Sequence, residues 1–144
     1  MSSSSDFVID LKTHERWMAL ALKEAERAQQ LDEVPVGAIV VYKDKLVGVG
    51  CNCPITSNDP TSHAEIQAIR HACDAYANYR LPGATVYVTI EPCVMCVGAM
   101  VHARIETVVF GAQEPKAGAL VSQMTLGQAA HFNHELQVIE GVLA

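Results

Sequence analysis

No stretch of 18 or more consecutive apolar residues occurs in the sequence, which excludes a transmembrane helix by length. The opening residues, Ser2 to Ser5 and Asp6, lack the basic stretch and apolar run of a secretory signal. Positive charge is scarce as well: 10 Lys and Arg stand against 16 Asp and Glu, a formal net charge of −6. A surface that grips phosphate everywhere has the opposite sign, so any nucleic-acid contact must be local. There is no internal repeat, no Pro- or Gly-rich linker and no block of like charge. The only low-complexity segment is the serine run at the start, and residues 1–10 are expected to be disordered or tag-like. What remains is apolar. The 144 residues are 50% hydrophobic and 18% charged, enough to bury one core over residues 11–144 and to exclude disorder as the dominant state. The expectation is a soluble, cytoplasmic, single-domain protein. Its 5 cysteines, an odd number in a chain that needs no staples, argue for free thiols or a metal site over a disulfide framework.

Periodicity gives the architecture. Trp17, Met18, Ala21, Leu22, Ala25 and Ala28 recur at three- and four-residue steps, predicting an amphipathic helix from Thr13 to Leu31 with Thr13 as its cap. Val36 to Tyr42 and Leu46 to Gly50 read as a hairpin around Lys43, Asp44 and Lys45; their near-continuous hydrophobicity predicts strands covered on both faces. A polar loop from Cys51 to Ser62 leads to a helix from His63 to Tyr79. Leu81, Pro82 and Gly83 then break the chain before a strand at Ala84 to Ile90. Pro92 is expected to open a helix reaching Arg104. Short strands follow at Thr107 to Phe110 and Leu136 to Ile139, with Gln123 to His131 ambiguous between helix and turn. The whole describes a three-layer α/β/α sandwich around a five-stranded mixed sheet.

The chemistry lies in Glu91-Pro92-Cys93-Val94-Met95-Cys96 after a strand and His63-Ala64-Glu65 at a helix start. Residues three apart on a helix are neighbours, so Cys93 and Cys96 can present both sulfurs on one face, and a helix N-terminus favours their thiolates. Two thiolates and one imidazole, His63, make three ligands, the number at which zinc keeps a fourth position for water. Such a site is formally neutral, so its water needs a base. Glu65 is the candidate, although positions i and i+2 of an ideal helix face apart. Simpler readings stand beside this one. Cys-x-x-Cys also suits a thioredoxin-like redox pair, Ser62-x-x-Glu65 suits a capping box, and Cys51, Cys53 or Cys73 could complete a structural zinc site. The remaining histidines (His14, His71, His102, His131, His134) show no spacing that pairs them and are taken as structural.

His63-Ala64-Glu65 with Pro92-Cys93-x-x-Cys96 resembles the signature of the zinc-dependent nucleoside and nucleobase deaminases, the cytidine-deaminase-like superfamily. The wider segments narrow the resemblance: Val34 to Ala38, Asn58 to Ile66, Glu91 to Ile105, Lys116 to Ala119 and Asn133-His134 are similar to the bacterial tRNA adenosine deaminases. The resemblance implies a cytidine-deaminase-like fold and a homodimer. It implies one zinc per chain on His63, Cys93 and Cys96, with Glu65 as proton carrier, and hydrolysis of the wobble adenosine of a tRNA anticodon stem-loop to inosine. It also implies substrate contacts at Asn52, Lys116 and Asn133; by composition alone these are a turn residue, a solvated charge and an element terminus. Members of that family usually continue beyond the Gly141-Val142-Leu143 stretch into a final helix ending in a basic, aromatic-containing tail, so a chain stopping at Ala144 is expected to grip RNA less firmly. Two other functions remain open: deamination of a free guanine, cytosine or nucleoside, and a non-catalytic zinc-stabilised scaffold in which Glu65 only caps a helix.

Overall fold

A computed structural model describes residues 4–128 and 134–144. Its strands are β1 (Gly37–Tyr42), β2 (Lys45–Cys51), β3 (Thr85–Ile90), β4 (Thr107–Ala112) and β5 (Gln137–Ile139). They form one sheet in the order β2-β1-β3-β4-β5. Strand β1 runs antiparallel to both β2 and β3, whereas β3, β4 and β5 run parallel, so the sheet is mixed.

Alternation along the strands decides where the helices sit. Ile39, Val41, Tyr87 and Val109 face one way and pack with Met18 and Ala21 of α1 (Ser4–Gln30). Ala38, Val40, Val86, Val88, Val108 and Phe110 face the other way. They share a core with Ala64, Ala68 and Ala72 of α2 (Ala64–Tyr76) and with Cys96, Val97 and Met100 of α3 (Val94–His102). Both faces are therefore covered, which is why the strands read as nearly continuous apolar runs. The result is the three-layer α/β/α sandwich expected from the sequence.

Several boundaries differ. Helix α1 starts at Ser4 rather than Thr13, so residues 4–10, expected to be disordered, lie within it. No glycine or proline precedes Pro35, and a helix once nucleated extends at little cost. The hairpin turn is the pair Lys43-Asp44, both at positive φ (52° and 61°), with Lys45 already paired to Tyr42. Helix α2 stops at Tyr76 because Ala77 turns left-handed (φ 49°) and its N–H bonds back to Asp74 and Cys73. Pro92 lies outside α3, which begins at Val94. The ambiguous segment is a single 3-10 turn at Leu126–Gln128 as far as the described residues extend; His131 lies outside them.

Strand β2 lies directly on α2. A Cβ at Gly50 would stand 2.3 Å from the Ala64 carbonyl oxygen and 2.6 Å from the Ala68 nitrogen, so only glycine lets strand and helix backbones meet there. This contact fixes the first turn of α2 against the end of the sheet. Gly50→Ala should lower stability by about 2–3 kcal/mol and the melting temperature by about 5–10 °C in a calorimetric scan. Gly98→Ala, where a Cβ meets nothing within 4 Å, should instead stabilise α3 by about 0.5–1 kcal/mol.

Candidate active site

Because β1 is antiparallel to β2 and β3, the start of β1, the end of β2 and the end of β3 lie at one edge of the sheet. From the end of β2 the chain runs through a loop to His63, and from the end of β3 through Glu91 and Pro92 to Cys93. His63 is the N-cap of α2 (φ −71°, ψ 156°) and Cys93 the N-cap of α3 (φ −81°, ψ 175°). Both caps are extended, so each side chain leaves the helix axis. That resolves the facing problem: His63 stands before the helix, Glu65 stands in its first turn, and both line one cleft. Cys93 and Cys96 occupy the N-cap and third helical positions, the same pair a capping box uses, where side chains are naturally drawn together.

The three donors converge. His63 Nδ1 lies 3.6 Å from each sulfur, and Cys93 Sγ lies 3.8 Å from Cys96 Sγ. A tetrahedral divalent ion with metal–sulfur bonds of about 2.3 Å and metal–nitrogen bonds of about 2.0–2.1 Å holds its donors about 3.6–3.8 Å apart, so the group fits such an ion. Among the described residues no other trio of His, Cys, Asp or Glu meets this way, so Cys51, Cys53 and Cys73 supply no fourth ligand.

Glu65 is buried, with 3% of its surface exposed. Burial drives its pKa up to about 7, only partly offset by its own backbone N–H, and the neighbouring Cys93 adds to the rise. The capping box does not form: Ser62 Oγ donates to Asp59 and accepts from Gln67 Nε2. The cysteine pair divides its charge. The Cys96 side chain stabilises the Cys93 thiolate and brings its pKa down to about 5 against the opposing effect of burial, while Cys96, beside that thiolate and buried, is held above the ordinary thiol range.

The cleft measures about 280 Å³ and is walled by Val34, Val36 and Ile90, with Asn52, Glu91, Glu114 and Ala117 completing its rim. Asn52 therefore reaches the site; its Nδ2 donates to the Val34 carbonyl at 3.3 Å. Lys116 is exposed and is not part of the lining, although it is flanked on the loop by Glu114 and Ala117. Asn133 lies outside the described residues. Two buried carboxylates missed by the sequence reading hold the walls. Glu33 accepts from the N–H groups of Ile55 (3.3 Å) and Thr56 (2.6 Å) and from the Thr56 hydroxyl (2.7 Å), tying the loop after β2 to the end of α1. Glu91 accepts from Glu114, Leu120, Val121 and Ser122. Burial alone would raise the Glu91 pKa, but the Ser122 hydroxyl and these N–H groups outweigh it and hold it near 2. No local pattern announces either residue, because their partners lie 22–31 residues along the chain.

A metal-free sample should therefore alkylate at Cys93 well below the pH at which an ordinary thiol reacts. With iodoacetamide, the fraction of reactive thiolate should fall only as the pH drops through about 5, and peptide mapping after alkylation at pH 7 should find Cys93 modified far ahead of Cys96.

Comparison with known proteins gives a consistent assignment. The family model of the MafB19-like deaminases matches residues 12–144. The tRNA-specific adenosine deaminase of Haemophilus influenzae is 46% identical over 131 residues, 90% of this chain and 76% of that protein. The one from Bacillus subtilis is 45% identical over 90% of this chain and 80% of its own length. A solved structure from a study of A-to-I editing by tRNA:A34 deaminases superposes with a TM-score of 0.85 at 44% identity, covering 88% of this chain and 91% of that one. The Bacillus subtilis guanine deaminase structure superposes with a TM-score of 0.67 at 38% identity over 69% of this chain and 64% of that one. The chain belongs to the MafB19-like deaminases, and within them to the tRNA-specific adenosine deaminases.

Proposed function

We infer that this protein hydrolyses the wobble adenosine of a tRNA, adenosine and water giving inosine and ammonia. The observation that carries the reading is a buried carboxylate, Glu65, in one cleft with a convergent His63, Cys93 and Cys96 group. We take the ion to be zinc, one per chain, because two thiolates and an imidazole at these separations suit it. When bound, zinc supplies the Lewis acidity that makes a water nucleophilic near neutral pH.

The residues do the rest. Val34, Val36 and Ile90 give apolar surface against which a purine can lie once it has left the base stack. A cleft of about 280 Å³ stands at the low end of ligand pockets, roughly 300–1,000 Å³, and suits a single base with its sugar. Glu65 takes a proton from the attacking water and delivers it to adenine N1, then takes the second proton from the hydroxyl now on C6 and passes it to the amine, which leaves as ammonia. A carboxyl group with a pKa of about 7 can both accept and donate at neutral pH. Asn52, on the rim, orients the nucleoside. Lys116 meets a phosphate beside the cleft, in keeping with a chain whose net charge of −6 confines the phosphate grip to a few places. The role of Asn133 rests on the sequence pattern alone. The partner is the anticodon stem-loop, the working unit a homodimer, and the compartment the cytoplasm; no described helix is long and apolar enough to cross a membrane.

Replacing Glu65 tests the reading. Glu65→Gln should retain its zinc by elemental analysis while inosine formation in an RNA hairpin with adenosine at the wobble position falls at least about 100-fold. Wild type that releases ammonia from free guanine but leaves the hairpin unchanged would move the assignment to a nucleobase deaminase. The same substitution has a second expected effect, on stability. A carboxyl whose folded pKa is raised to about 7 makes the folded state the better proton binder between about pH 4.5 and 7, so metal-free wild type loses stability as the pH rises through that window. The Gln variant lacks this loss and should be more stable than wild type at pH 8, by up to about 3 kcal/mol in urea unfolding of the metal-free proteins.

A further inference from the structure

We propose that Glu91 is a positioning residue for the substrate: its carboxylate fastens the loop 113–122 to the segment carrying Cys93, so that one wall of the cleft and the metal-ligand helix are set as a single unit. The proposal rests on the tRNA deaminase reading of the site.

Five donors converge on this carboxylate. Oε1 accepts from the Glu114 N–H at 3.1 Å and from the Ser122 hydroxyl, and Oε2 accepts from the N–H groups of Leu120 (3.0 Å), Val121 (2.8 Å) and Ser122 (2.9 Å). The main chain adds to the fastening: the Glu91 N–H donates to Ala112 at 2.8 Å, and the Ala119 N–H donates to Pro92 at 2.9 Å. The loop wraps the carboxylate so closely that a Cβ at Gly118 would stand 2.3–2.5 Å from its carbon and oxygens. An ionised carboxylate is an acceptor with about four lone-pair sites, and five donors saturate it. Although Glu91 lines the cleft beside Glu65, it has no free lone pair with which to move a proton. What it controls is where Glu114, Lys116 and Ala117 stand. Only Pro92 separates it from Cys93, so displacement of the anchor moves the rim relative to the chemistry, and a misplacement of about 1 Å can cost about 100-fold in catalytic efficiency. Asn or Gln cannot replace it, because a side-chain amide has a single acceptor oxygen and turns its own donors toward the loop.

Glu91→Gln and the milder Ser122→Ala, which removes one donor only, test this against wild type on the zinc-loaded chain. Three quantities are read: zinc per chain, amide hydrogen exchange of Leu120, Val121 and Ser122, and kcat and KM on the wobble-adenosine hairpin. The expected result for Glu91→Gln is unchanged zinc, exchange at those amides at least about tenfold faster, and KM raised about 10- to 100-fold with kcat changed far less. Ser122→Ala should move exchange and KM in the same direction by a few-fold. Unchanged exchange and KM in both variants overturn the proposal. So does a fall in kcat with exchange and KM unaltered, which would make Glu91 part of the chemistry. If Glu91→Gln does not fold, Ser122→Ala decides on the same two readouts. Wild type that forms no inosine overturns the functional reading instead, and the exchange data then decide the anchoring alone.

Discussion

Two helix N-caps meeting at one edge of the sheet are the constraint on which the rest depends. A residue at an N-cap keeps extended backbone while the next residue is already helical, so its side chain is free to point away from the helix. His63 and Cys93 use that freedom in the same place, and the first-turn N–H groups of α2 and α3 bring two positive helix ends to the same cleft. A thiolate and a buried carboxyl are favoured there by that field. The sheet does the aiming: β1 lies between β2 and β3, antiparallel to both, so the strands that lead into the two helices end on the same side. Gly50 then lets β2 approach the first turn of α2 closely enough to hold His63 at this edge.

Much of this was legible because the sequence signals are local. Cys93 and Cys96 are three apart, His63 and Glu65 two apart, and the apolar strands and amphipathic helices have their own periods, so the layers, the strands and the ligand trio could be read directly. What the reading missed is of another kind. It puts Pro92 inside α3 and starts α2 at His63, each off by one or two residues, because turn geometry depends on contacts outside the segment. The reach of α1 back to Ser4 was hidden by a serine-rich start whose composition suggests disorder. Glu33 and Glu91 were invisible as anchors. An acidic residue in a loop looks solvated until the backbone N–H groups it holds are brought to it by the rest of the fold.

Three buried or nearly buried carboxylates in this one region show how environment divides labour among identical groups. Glu65, with little to hydrogen-bond, is pushed toward neutrality and becomes able to carry protons. Glu91, with five donors, is held as a permanent anion and becomes structural. Glu33 is likewise held ionised: burial opposes this, but the Thr56 hydroxyl and the Thr56 and Ile55 N–H groups prevail. Burying a charge without partners is costly, so the number of donors each carboxylate meets decides its role. The same logic bears on the capping alternative for Glu65. A cap residue is satisfied by backbone N–H groups and stays ionised, whereas burial raises Glu65 to about 7, which its own N–H, His63 and the Cys96 side chain only partly offset.

Charge balance closes the argument from the substrate's side. The chain as a whole is acidic, and the cleft gathers Glu65, Glu91 and Glu114 out of that excess beside a cysteine thiolate. A polyanion approaching such a cleft is repelled unless positive charge is concentrated inside it, and the trio of His63, Cys93 and Cys96 is where a divalent cation fits. The apolar walls of Val34, Val36 and Ile90 meanwhile welcome a neutral base and offer nothing to a phosphate. Apolar walls that accept a base, beside positive charge confined to one trio, suit an enzyme that acts on one extruded base of a longer RNA.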